Sequence, residues 1–218
     1  MSAYPLESER RAVSDLGREM VDLGLTKGTG GNVSEQGDDD LIAVSPTRIP
    51  YDEIGPGDVP VVDTNGEPIA GETIPSSETP MHTAIYRARD DVGGIVHTHS
   101  LYASTFASLG EAIPASHYLL AYVGKKVPVA GYERPASEAL AKEAVEALGQ
   151  EYDACLLQNH GVMATGETAE EAIENALMVE YCAQVHYQAK CIGDPIVLGD
   201  DDLDELITGF DEYRRIEQ

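Results

Sequence analysis

The sequence predicts an α/β fold in a single domain spanning residues 1–218, on three observations. Stretches with apolar side chains three and four residues apart alternate with short apolar runs of strand length. No internal repeat, linker or low-complexity tract divides the chain. With 218 residues, 42% of them hydrophobic, the chain can build one core.

The elements follow in order. Leu6 to Leu25 is expected as an amphipathic helix carrying Val13, Leu16, Met20 and Leu23 on one side, ending in the turn Gly28-Thr29-Gly30-Gly31-Asn32. Leu41 to Val44 is a short strand stopped by Ser45-Pro46-Thr47, and Val59 to Val62 with the turn Asn65-Gly66 predicts a hairpin. A helix starts near Ser76-Ser77-Glu78-Thr79-Pro80, with Ser77 as its N-cap, and runs to about Arg89. Gly94 to His99 is a strand, Tyr102 to Leu109 a helix, and Val127 to Ala130 another short strand. Ala136 to Leu148 is a helix built on Ala139, Leu140, Ala144, Val145 and Leu148. Cys155 to Gln158 is an apolar strand entering Asn159-His160-Gly161. A long helix over Ala169 to Ala189 and a last one over Asp204 to Arg215 close the chain.

Charge excludes several classes. With 39 acidic and 14 basic side chains the formal charge is −25, which repels nucleic acid and anionic membrane surfaces alike. Five lysines against nine arginines, no tryptophan and acids scattered along the chain suggest a protein adapted to high salt, where the Debye length shrinks to about 3 Å at 1 M. Residues 1–9 have no signal-peptide pattern and no window nears 18 apolar residues, so a cytoplasmic protein is expected. Cys155, Cys182 and Cys191 are widely spaced and read as buried, reduced thiols without chemistry.

The chemistry gathers on histidines. His97 and His99 stand at i and i+2 of a strand, where alternate residues share a face, so both imidazoles can meet at one point. They are either a metal-directed pair or two polar residues at a solvated strand end. His160 also leaves the end of an apolar strand and is the third ligand candidate; three neutral imidazoles with an open position would make a catalytic metal site. Glu78 is the base candidate, or else complements the dipole of the helix it begins. Ser76, Ser77 and that helix start can form an anion site. Thr29-Gly30-Gly31-Asn32-Val33-Ser34 is a second anion-site candidate, or simply a glycine-rich helix end. His82, His117 and His186 read as structural histidines, with His82 one turn after Glu78.

Gly31-Asn32-Val33-Ser34, Ser45-Pro46-Thr47, Ser76-Ser77-Glu78, His97-Thr98-His99 and His160-Gly161, taken in this order, resemble the class II aldolase/adducin family over nearly the whole chain. The resemblance implies a three-layer α/β/α sandwich around a mostly antiparallel sheet. It implies one zinc ion, or another divalent metal, per subunit on His97, His99 and His160. Glu78 would be the acid/base group and a further ligand when no substrate is bound. Thr29, Gly31, Asn32, Thr47, Arg48, Ser76 and Ser77 would hold a substrate phosphate. Tyr118, from a neighbouring subunit, and Tyr213 would serve the aldehyde half, in a homotetramer with active sites at its interfaces. The implied reaction is cleavage of a ketose 1-phosphate, with L-fuculose 1-phosphate ahead of ribulose 1-phosphate or a 5-deoxy analogue. Related epimerases carry Asp where this chain has Glu78, and adducin-like modules lack the metal. One departure stands out: Arg48 occupies a position that is usually glycine.

Overall fold

The computed structural model describes residues 5–217, the side chains of residues 211 and 213–217 excepted. Among the described residues there are six α-helices: α1 (Glu7–Asp22), α2 (Thr79–Ala88), α3 (Leu101–Leu109), α4 (Glu138–Leu148), α5 (Ala169–Ile192) and α6 (Asp200–Glu217). The strands are β1 (Asn32–Gln36), β2 (Ile42–Val44), β3 (Val61–Val62), β4 (Pro68–Ala70), β5 (Gly94–Thr98), β6 (Ile113–Pro114), β7 (Lys126–Val127), β8 (Val129–Ala130), β9 (Ala154–Leu157) and β10 (Gly161–Gly166). Eight of them form one sheet in the order β4-β3-β2-β1-β5-β10-β9-β8, antiparallel except for the β8–β9 pair. β6 and β7 pair separately.

Alternation along the strands splits the core into two layers. Val96, Leu156 and Val162 face one side, where α1, α3 and α5 cover them with Val13, Leu16, Met20, Phe106, Ala172 and Ala176. Ile95, Cys155, Leu157 and Met163 face the other, under Met81 and Ile85 of α2 and Leu140, Ala144 and Leu148 of α4. The result is the three-layer α/β/α sandwich with a mostly antiparallel sheet. α5 enters directly over the start of β5, where a Cβ on Gly94 would stand 2.0 Å from the Ala169 nitrogen. Only glycine fits there.

Several expectations need correcting. Residues 32–36, of which only Asn32 is expected in the turn, are strand β1, held between β2 and β5; Val33 is their one apolar residue, so periodicity could not reveal them. β10 was not anticipated, because a six-residue run bracketed by glycines and buried on both faces has no alternation to detect. Val127 to Ala130 is not one strand: Pro128 separates β7 from β8, which belong to different sheets. Ser77 is not the cap of α2; Glu78 occupies that position, without a side-chain cap bond. α6 begins at Asp200, four residues before the expected start. Cys155 and Cys182 are buried, with their thiols pushed up to about 12 by burial, but Cys191 is exposed. Among the described residues, no helix is long and apolar enough to cross a membrane.

Candidate active site

The central strand β5 delivers His97 at its end and His99 just beyond. The turn between β9 and β10 brings His160 beside them. Asn159 makes that turn possible by taking the left-handed conformation (φ 56°), which asparagine tolerates better than most residues. Its N–H donates to the Ala107 carbonyl at 3.0 Å, which ties the turn to α3. The three rings are packed with centroids 4.8 to 5.3 Å apart, and one ligand atom from each lies within 4.8 Å of the others.

Glycines let the backbone close around these rings. A Cβ on Gly161 would stand 2.3 Å from the Thr98 carbonyl oxygen and 2.9 Å from the His99 ring. One on Gly30 would meet His99 Nδ1 at 2.9 Å, and Gly31 (φ 69°) lies against the His97 carbonyl. The Gly30-Gly31 pair is therefore required by close packing on the histidine strand. Tyr51 fixes the same turn, its hydroxyl donating to the Gly31 carbonyl at 3.0 Å.

Glu78, at the start of α2, completes the cluster. Its Oε2 is 3.0 Å from His97 Nε2 and its Oε1 is 3.5 Å from His160 Nε2. Burial pushes this carboxyl up, but His97, His160 and a hydrogen bond from Asn32 outweigh that and hold it well below the usual carboxylate range. Burial lowers His99 to about 4 and lowers His160 as well, which favours the unprotonated imidazole that binds a metal. His97 donates from Nδ1 to the Val162 carbonyl at 2.8 Å, which fixes the ring with Nε2 toward the cluster.

These donors fit a divalent cation. His97 Nε2 lies 3.0 Å from His99 Nε2, and ligand nitrogens about 2.0–2.1 Å from one zinc ion stand roughly 3.4 Å apart. Oε1 of Glu78 is buried and accepts no hydrogen bond among the described residues. Three imidazoles with a carboxylate beside them are the donor set of a catalytic metal site, in which one position is left for substrate or water.

The segments expected to bind phosphate converge on this cluster. The Thr47 loop and the Ser76 loop are joined by the Pro46–Pro75 bridge, with Ser76 N–H donating to Ser45 O at 3.0 Å and Thr47 N–H to Ile74 O at 2.9 Å. Ser76 Oγ accepts from the Glu78 N–H at 3.3 Å. Thr29, Arg48 and Ser77 are exposed. Arg48 adopts φ 62°, the left-handed backbone that explains why glycine suits the position. Asn32, by contrast, is buried and commits its amide to Glu78 and His82. Tyr118 is 50% exposed, and its ring neighbours are His117 and Phe210, neither of them part of the cluster. The side chain of Tyr213 lies outside the described residues.

Sequence reasoning reads His82 as structural and Ser34 within a glycine-rich turn, and misses Tyr86 and the row that the three form. His82, Ser34 and Tyr86 form a buried polar row under Glu78, His82 being lowered to about 3 by burial. The available signal was on the helix alone, where Glu78, His82 and Tyr86 stand at i, i+4, i+8. His186 and His117 are structural as expected, the first bonded to Ser116 Oγ at 2.9 Å and the second accepting from the Leu119 N–H at 3.3 Å.

The three-histidine group that could hold a metal, together with the family and relatives it is found in, makes this a class II aldolase, a carbon–carbon lyase. The family described as Class II Aldolase and Adducin N-terminal domain matches residues 11–187, and the chain belongs to it. It is 43% identical over 212 residues to the 5-deoxy-D-ribulose 1-phosphate aldolase of Bacillus thuringiensis serovar kurstaki, covering 95% of this chain and 98% of that one. It is 35% identical to the L-fuculose phosphate aldolase of Escherichia coli, covering 95% and 97%. A solved L-fuculose 1-phosphate aldolase superposes with a TM-score of 0.93 at 38% identity, over 97% of this chain and all of that one.

Proposed function

We propose that the chain is a zinc-dependent aldolase that reversibly cleaves a ketose 1-phosphate between C3 and C4, releasing dihydroxyacetone phosphate and a short aldehyde. The observation that carries this reading is the buried, ionised Glu78 carboxylate facing a three-imidazole site. 5-Deoxyribulose 1-phosphate, which would give acetaldehyde, takes precedence over the expected L-fuculose 1-phosphate, which would give L-lactaldehyde. The 43% identity to an aldolase named for the first sugar, against 35% for the second, supports that order. Fuculose phosphate remains the second reading on the strength of the 0.93 superposition.

His97, His99 and His160 would hold the zinc, with Glu78 a further ligand before substrate arrives. The bound cation would supply Lewis acidity to the substrate's carbonyl end, where negative charge develops as the bond breaks. Glu78 moves the proton: in condensation its carboxylate takes one from the hydroxymethyl carbon of dihydroxyacetone phosphate, and in cleavage it returns one to C3. The C4 hydroxyl must lose its proton as the aldehyde forms, and the exposed Tyr118 of a neighbouring protomer is assigned to that end, together with Tyr213. Thr29, Gly31, Thr47, Arg48, Ser76 and Ser77 line the phosphate end, with backbone and hydroxyl donors predominating, while the Asn32 amide stays with Glu78 and His82. The assembly proposed is a homotetramer, for which the exposed Tyr118, Leu101 and Leu109 provide apolar contact surface.

The test is a retro-aldol assay on both sugar phosphates, with and without chelator. Dihydroxyacetone phosphate should appear faster from 5-deoxyribulose 1-phosphate, and chelation should abolish it. Turnover that survives complete metal removal would overturn the mechanism; preference for fuculose 1-phosphate would reverse the substrate order.

A further inference from the structure

The polar row beneath Glu78 has a geometry of its own. α2 rises roughly 6 Å over four residues and a strand about 6.8 Å over two, so helix positions 78, 82 and 86 interleave with strand positions 32 and 34. Asn32 Nδ2 donates to Glu78 Oε2 at 3.2 Å, and Asn32 Oδ1 meets His82 Nε2. His82 Nδ1 lies 2.7 Å from Ser34 Oγ, and Ser34 Oγ lies 2.8 Å from the Tyr86 hydroxyl. His82 and Ser34 are fully buried; Asn32, Tyr86 and Glu78 are 4 to 7% exposed.

The protons in this row have one arrangement. A carboxylate only accepts, so the Asn32 amide must turn its NH2 to Glu78 and its oxygen to His82. That oxygen requires a hydrogen on His82 Nε2. In a neutral imidazole Nδ1 is then bare and accepts from Ser34, whose own oxygen accepts from Tyr86 at 2.8 Å, the shorter of that hydroxyl's two contacts, the other being the Gly93 carbonyl at 3.4 Å. Every hydrogen points toward Glu78. A buried row satisfied at each link holds its members in one orientation, whereas an apolar contact would leave the amide free to turn.

We infer that His82 is a positioning residue for Glu78: anchored by Ser34 and Tyr86, its Nε2–H fixes the Asn32 amide, which holds the Glu78 carboxylate toward His97 and His160. This rests on the reading of Glu78 as the acid/base group. The bland alternative is that His82 merely fills the space between α2 and the sheet.

Two substitutions separate the roles. His82→Gln keeps a donor near the Nε2 position, and His82→Asn keeps only a group near Nδ1. With zinc content and thermal midpoint measured for each, His82→Asn should lose about 10- to 100-fold in kcat with KM within about twofold, as loss of an outer partner of a metal site does. His82→Gln should recover most of that loss. Wild-type kcat in His82→Asn, or equal losses in both variants that track their loss of stability, would overturn the inference. Should His82→Asn not fold, Ser34→Ala carries the test: it should lower kcat severalfold at unchanged KM, and unchanged kcat overturns it. A Glu78→Gln arm keeps the questions apart. If that variant turns over normally, the reading of Glu78 fails; if it is inactive while His82→Asn is unimpaired, only the positioning role fails.

Discussion

Helices α2 and α4 lie side by side on the same face of the sheet and have nearly the same length, 10 and 11 residues. They are built for different ends. In α4 the N-cap Ser137 accepts from the Leu140 N–H at 3.1 Å, and Leu140, Ala141, Ala144 and Leu148 form an unbroken apolar stripe. In α2 the cap position holds Glu78, whose carboxylate turns to the histidines, and the stripe is interrupted by His82 and Tyr86. α4 maximises local stability. α2 gives up a cap bond and part of its apolar face to hold a carboxylate, and it relies on packing against α4 and the sheet to stay in place.

That contrast can be broken from either side. The largest effect should come from Glu78→Gln, which would remove the proposed proton carrier: kcat should fall about 10²- to 10⁴-fold with the metal retained, by turnover and metal analysis. Next, Leu148→Ala in α4 should cost about 2–5 kcal/mol in denaturant unfolding while leaving kcat/KM unchanged where the protein is folded. Glu35 probes the neighbouring strand β1, where burial, opposed by the Ala169 N–H and aided by Glu9 and Glu170, lifts its carboxyl to about 7. The folded state therefore binds this proton more tightly than the unfolded chain does. Stability should decline as pH rises from about 4.5 to about 7, and stay low above. Glu35→Gln should remove that slope and add roughly 1–2 kcal/mol at pH 8, after discounting for solvent screening at a half-buried site. The smallest effect should be Ser137→Ala, about 1 kcal/mol of stability with activity untouched.

The same comparison explains what could be read from the sequence. α4 was legible because its apolar positions recur at 3–4 spacing behind a serine, and α1 and α5 were legible for similar reasons. α2 was found, but its cap was misassigned to Ser77, since serine is the better capping residue and only the fold reveals that Glu78 has another partner. His97 and His99 could be paired from strand alternation, and His160 from its place after a strand. β1 and β10 were invisible because their strand character comes from the neighbours on either side. The row through Asn32, Ser34, His82 and Tyr86 went with them: without β1 there was no second element for α2's polar residues to face. The acid excess that suggested adaptation to salt says nothing about these contacts, which are all interior.

Glycine packing around β5 has a kinetic consequence. Asn32 is brought opposite His97 by the β1–β5 register, and Val162 opposite Thr98 by the β5–β10 register, with 65 residues of chain between His97 and Val162. Only His97 and His99 are neighbours before folding, too few to grip a metal tightly. A bound ion's full grip would exist only after the longest-range strand pairing among the described residues is complete, late in a search slowed by loop-closure entropy. Metal should then leave the refolding rate nearly untouched and lengthen the lifetime of the folded state, acting as a lock on a finished door.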